Sequence, residues 1–191
     1  MTDVTIYDGL VPIEPSLSWS AIIAGSFVAV GASVFLTVLA SGLGYDLAAG
    51  ALASRSSLDA FTPELGAAAI AIQVISAGLG AYMAGRLRHP WTFAHADEAH
   101  FRDTAQGLIV WALSAIAGLV LYALVIAPYV GQLAPPAPAT AADPVRAAHV
   151  FAQAAFFASV GMLLSAFIAA VAGRIGGLQS EHMHSRTRLE S

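Results

Sequence analysis

The one dense group of side chains able to do chemistry lies between residues 86 and 103. It comprises Arg86, Arg88, His89, His95, Asp97, Glu98, His100, Arg102 and Asp103, with Trp91, Phe93 and Phe101 among them. Histidine and carboxylate together suggest a zinc or iron site. A helical metal pair needs a four-residue interval, however, and His95 and His100 are five apart and point to different faces. His95 with Glu98, or Asp97 with His100, would share a face. The other reading is an interfacial turn leading into a helix, with Trp91 and Phe93 at headgroup level and acidic groups complementing the helix N-terminus. Glu98 would then pair with Arg102, four residues on. The spacing favours this reading, so no metal and no cofactor are expected. His95, Glu98, His100 and Arg102 remain as contact candidates on a loop.

Elsewhere the sequence offers little reactive chemistry. There is no Gly-rich phosphate loop, nucleophile elbow or His-Glu-x-x-His element. Cysteine is absent, which removes disulfides, thiolate metal sites and cysteine nucleophiles. The long apolar runs hold no ionisable residue far from their ends, and this counts against a pump or an ion-coupled transporter. Gln73 is the most polar group inside a run, placed to bond across helices with Ser33, Thr37 or Ser114. Asp46 and Glu64 lie near the ends of runs, where solvated carboxylates are expected.

The elements that must carry these groups are transmembrane helices. Of 191 residues, 58% are hydrophobic and 10% charged, against about 25% charged in a soluble domain. Spans are expected at about 19–43, 65–85, 104–127 and 150–173, each long enough to cross the hydrocarbon core. A segment 1–18 precedes them, and 178–191 forms a polar, mobile tail. The predicted fold is an all-α, integral membrane four-helix bundle occupying 19–177. The net charge of -4 provides no basic field for nucleic acid. Arg86, Arg88, Arg102, Arg174, Arg186 and Arg188 would share one side, and only Arg55 and Arg146 the other. By the positive-inside rule the first side is cytoplasmic, with both termini.

Two patterns concern packing. Ala21, Gly25, Ala29, Ser33, Thr37 and Ser41 recur at intervals of four, a small-residue ladder that lets helix backbones approach closely in lipid. The second span ends Ala77-x3-Ala81-x3-Gly85-Arg86 and the fourth Ser165-x3-Ala169-x3-Gly173-Arg174, with Gly177 continuing the stripe. The match suggests two helical hairpins related by a parallel repeat. Gly25, Ala29, Ser33, Ala81, Gly85, Ala169, Gly173 and Gly177 are therefore the expected packing interface. Leucine at Gly25 or Gly173 should force helices apart, whereas alanine there, and leucine at Val28 or Val171, should be tolerated far better.

The segment Ala84-Gly-Arg-Leu-Arg88, then His95-Ala-Asp-Glu98, then Phe101-Arg-Asp-Thr-Ala105-Gln-Gly-Leu-Ile-Val-Trp111-Ala resembles a pattern in small four-span bacterial inner-membrane proteins of unknown function. The resemblance implies a bacterial inner membrane and assigns no activity or catalytic residue. The leading expectation is a non-enzymatic protein acting through helix packing in the bilayer, as a homo-oligomer or as an accessory subunit of a membrane complex. A small-solute transporter or channel lined by Ser33, Thr37, Gln73 and Ser114 is the alternative. A membrane enzyme with a His/carboxylate metal site is third.

Overall fold

A computed structural model describes residues 17–45, 62–88, 96–126, 128 and 144–189. Among the described residues there are four α-helices: α1 (Trp19–Gly42), α2 (Pro63–Leu87), α3 (Ala96–Leu121) and α4 (Pro144–Leu189). Each contains a stretch long and apolar enough to cross a membrane. At 1.5 Å per residue, the 24 residues of α1 span about 36 Å, so one helix covers the roughly 30 Å of hydrocarbon.

Local chemistry sets the ends. Thr62 caps α2, its hydroxyl accepting the Leu65 N–H at 3.4 Å, and Pro63 fills the first helical position, where an N–H would have no partner anyway. α1 closes over Gly44, whose φ of +92° suits a residue without Cβ, and the Tyr45 N–H returns to the Ala40 carbonyl at 2.9 Å. At its far end α3 widens into a π turn over Tyr122–Ile126, just before Pro128. A proline ring crowds the carbonyl four residues back and lacks the N–H that an α-helical ladder needs.

Two helices exceed the expected spans. α3 starts at Ala96 rather than 104, because Ala96 to Asp103 has no Gly or Pro and is reinforced by the Glu98–Arg102 ion pair. α4 has 46 residues, about 69 Å, and includes the segment expected to be a mobile tail. Nothing after Gly177 breaks a helix: Gln179, Glu181, Met183, Arg186 and Arg188 are all good helix formers.

α2 packs along its length on the middle of α4, from Gly66 against Phe157 to Gly85 against Gly176, whereas α1 and α3 are buried against this pair over only part of their length. No residue of α1 beyond Ala29 is buried, and none of α3 beyond Val110 among the described side chains. At the end that carries Arg86, Arg88 and Arg102 the helices are therefore tightly packed, and toward the opposite end α1 and α3 stand free of a core. Bulky apolar side chains such as Phe27, Phe35, Leu119 and Phe167 face outward and are more than 60% exposed, as lipid-facing positions require.

Glycines make the tight end possible. A Cβ at Gly25 would lie 2.5 Å from the Gly80 carbonyl oxygen and 2.8 Å from Ala84 Cβ. A Cβ at Gly173 would lie 2.8 Å from the Asp103 carbonyl oxygen and 3.0 Å from Gly107 Cα. Alanine therefore does not fit at either position without moving backbone, contrary to the tolerance expected from the sequence. The backbones are closer than a generic small-residue seam needs. Gly85 and Gly173, matched in the sequence repeat, also meet each other: a Cβ on Gly85 would collide with the Gly173 carbonyl. Contact between matched positions is what a pseudo-twofold axis between α2 and α4 gives. The rest is less regular, because α3 packs on α2 while α1 makes no comparable contact with α4.

Candidate functional site

Two polar groupings lie inside the bundle. The first is at the arginine-rich end, where α2 stops at Leu87 and Arg88 adopts an extended conformation. That turn sends its side chain back between the helices. Arg88 Nη2 donates to Asp103 Oδ2 at 2.7 Å, a charge-assisted hydrogen bond, and Nε lies in ion-pair contact with Oδ1. The two side chains are 0% and 1% exposed. Gly177 of α4 makes the room, since a Cβ there would approach Asp103 Cγ to 2.6 Å. One turn on, the buried Ser180 Oγ donates to the Gly177 carbonyl at 2.8 Å. Gln106 Nε2, also buried, donates to the Ala84 carbonyl at 3.0 Å. These contacts tie α2, α3 and α4 together. A carboxylate held this way is a structural tie, with its oxygens committed to Arg88. On the outer surface, Arg86 Nη1 and the Tyr82 hydroxyl both donate to Gln179 Oε1, at 2.7 and 2.6 Å.

The second grouping is a half-enclosed cavity of about 200 Å³ where α1 and α3 begin to diverge. Its polar lining comes from Ser33 of α1, Gln73 and Ser76 of α2, and Trp111 and Ser114 of α3, with no ionisable side chain among the described residues. The indole Nε1–H of Trp111 is taken by Ser165 Oγ of α4 at 2.9 Å. The hydroxyls of Ser33 and Ser114 donate to Val30 and Trp111 carbonyls on their own helices at 2.8 and 2.9 Å. Thr37 likewise donates to the Ser33 carbonyl at 2.7 Å and lies outside the lining. The bonds expected from Gln73 to these hydroxyls are absent among the described residues, because a helical Ser or Thr readily turns back to a carbonyl three or four residues earlier. The Gln73 amide oxygen instead occupies the space left by Gly161 on α4. Ser76 is 4% exposed, and its Oγ has no hydrogen-bond partner among the described residues.

The packing residues named from the sequence fall as follows. Gly25 and Ala29 are buried between α1 and α2; Ala81, Gly85, Ala169, Gly173 and Gly177 are buried where α2, α3 and α4 meet; Ser33 is half-buried on the cavity wall. Of the loop contact candidates, Glu98 and Arg102 pair on the exposed face of α3, and His100 is half-buried, its carbonyl accepting the Thr104 hydroxyl at 2.9 Å. His95 lies outside the described residues, as do Asp46, Trp91 and Phe93. Among the described residues no three His, Cys, Asp or Glu side chains converge. The Arg88–Asp103 pair was the main feature the sequence reading missed. Its trace is the spacing of Ala99, Asp103, Gln106 and Val110, which puts two polar residues on the buried face of α3.

Four packed helices of this length and hydropathy make the chain a multi-pass membrane protein. No family model, curated protein or solved structure matches it.

Proposed function

We propose that the chain is a non-enzymatic component of a bacterial inner membrane, whose arginine-rich half is a rigid base and whose opposite half binds other transmembrane helices. The partner is a second copy or a subunit of a larger membrane complex. One observation carries this reading. The small-residue ladder of α1 is only half used within the bundle: Ala21, Gly25 and Ala29 are buried, whereas Ser33 and Thr37 are half-buried and Ser41 is exposed. The same spacing that brings α1 against α2 thus continues along an open surface. In lipid, small and hydroxylic residues at such spacing are a main source of helix association.

The experiment is site-directed photo-crosslinking in native membranes, which the absence of cysteine makes clean. A benzophenone attached through Thr37→Cys should give a discrete protein adduct, and one attached through Val38→Cys, 67% exposed before substitution, should react with lipid. In the proposed orientation the arginine-rich end is cytoplasmic, supported by six arginines against two. Reporter fusions after Arg88 and Arg174 should then read cytoplasmic and one near Pro138 periplasmic; the reverse pattern would overturn the orientation.

A further inference from the structure

Arg86 and Arg174, the two arginines matched in the sequence repeat, have different surroundings. Arg86 is held within the chain: its guanidinium stands over the Tyr82 ring, 5.9 Å from the centroid, and donates to Gln179 Oε1. In the fourth helix Ala170 takes the place of that tyrosine. Arg174 lies exposed and makes no hydrogen bond or ion pair among the described residues. Acidic side chains at this end are engaged elsewhere, Asp103 by Arg88 and Glu98 by Arg102.

Packing fixes the depth of Arg174. α2 and α4 run in the same direction and in constant register, with Gly66 against Phe157, Ile70 against Gly161 and Gly85 against Gly176. At 1.5 Å per residue, Arg174 is therefore about 28 Å from the level of Glu64, the exposed carboxylate at the outer end of α2. That distance is close to the thickness of the hydrocarbon, so the flexible stem carries the guanidinium to the level of the lipid phosphates. Toward the bilayer centre, Val171, Phe167 and Leu163 follow on the same face of α4, and all three are exposed. A cation above an apolar, outward-facing track has the layout of a phospholipid, with a phosphate over an acyl chain. We propose that Arg174, Val171, Phe167 and Leu163 form a binding site for one anionic phospholipid. A zwitterionic lipid would bring its own cation beside Arg174, whereas an anionic one supplies the countercharge that the chain does not. The site is independent of the proposed helix-binding surface, which lies on α1 in the other half of the bundle.

Native mass spectrometry of the delipidated full chain in mild detergent tests the site, with equal amounts of phosphatidylglycerol and phosphatidylcholine of identical acyl chains. Phosphatidylglycerol should be retained about fivefold over phosphatidylcholine, the ratio expected for one arginine beside an anionic lipid. Arg174→Gln should remove the preference and Arg174→Lys should keep much of it. Arg102→Gln should leave it unchanged, because that arginine is paired with Glu98. Phe167→Gln, at an exposed position, should lower the retention of phosphatidylglycerol. Inorganic phosphate should not displace the lipid, since it has no chain to lie on the track. Equal retention of the two lipids, a preference that survives Arg174→Gln or falls equally with Arg102→Gln, or retention unchanged by Phe167→Gln would overturn the proposal. So would displacement by inorganic phosphate, which would mark a site for a soluble anion.

Discussion

Asp103→Ala is expected to destabilise the folded chain by about 3–5 kcal/mol, because it removes the carboxylate paired with the buried Arg88 guanidinium. Arg88→Ala should cost a similar amount by removing the guanidinium paired with the buried carboxylate. Both side chains are almost completely buried, so water cannot solvate the survivor as it would at a surface. Asp103→Asn is a sharper probe: it keeps the shape and an acceptor but removes the charge, and it should be nearly as harmful as alanine. Replacing both partners together, as in Arg88→Met with Asp103→Leu, should recover most of the loss, since a well-packed apolar pair often equals or exceeds a buried ion pair. Thermal unfolding in detergent reads all four variants. If the single substitutions stay within about 0.5 kcal/mol of the parent, as ordinary surface changes do, the pair does not hold the helices together.

The second large effect is at the glycine seams. Gly173→Leu places its Cβ 2.8 Å from the Asp103 carbonyl oxygen and 3.0 Å from Gly107 Cα, and Gly25→Leu meets the Gly80 carbonyl at 2.5 Å. These obstacles are backbone, so whole helices must separate, and the many small dispersion contacts along the seam are lost together. The cost should reach or exceed the roughly 1–3 kcal/mol of ordinary overpacking, and the yield of folded protein should fall sharply. Alanine at the same two positions should also be costly, though less so. Gly31→Leu is the matched control, since a Cβ there meets nothing within 4 Å. It should be silent within the monomer or slightly favourable, given the roughly 1 kcal/mol helix penalty of glycine. Val28→Leu and Val171→Leu, at outward positions 37% and 41% exposed, should also be nearly silent. Equal loss at Gly25, Gly173 and Gly31 would mean that helix propensity, rather than close approach, governs these sites.

These two cases mark what was legible in the sequence. The four helices follow from apolar run length alone, and Gly25, Gly173 and Gly177 are members of four-residue series visible in the chain, whereas Gly176, where a Cβ would collide with the Tyr82 carbonyl oxygen, is not. Distances between backbones were not legible, because spacing gives the face of a helix and not its neighbour's depth. The Arg88–Asp103 pair was obscured for a different reason. Arg88 counts toward a positive-inside tally whether it points to water or to the bundle, and only the extended backbone after Leu87 decides which. Likewise, the sequence placed Ser33, Gln73 and Ser114 at similar depth, but their assembly around one cavity depends on α1 and α3 diverging beyond Ala29 and Val110. The helical continuation of α4 past Gly177 had been obscured by polarity, which resembles that of a tail although the residue types favour a helix.

Whether the open half of the α1 ladder meets another helix is read most directly by the photo-crosslinking from Thr37→Cys and Val38→Cys, followed by mass spectrometry of the adducts. The expected result is one dominant protein adduct from position 37, either a second copy of the chain or a single membrane subunit, its yield reduced by Ser41→Leu at the exposed next rung of the same ladder, with only lipid adducts from position 38. Lipid adducts from both positions, or the same spread of proteins from both, would contradict a helix-binding role for this half of the bundle.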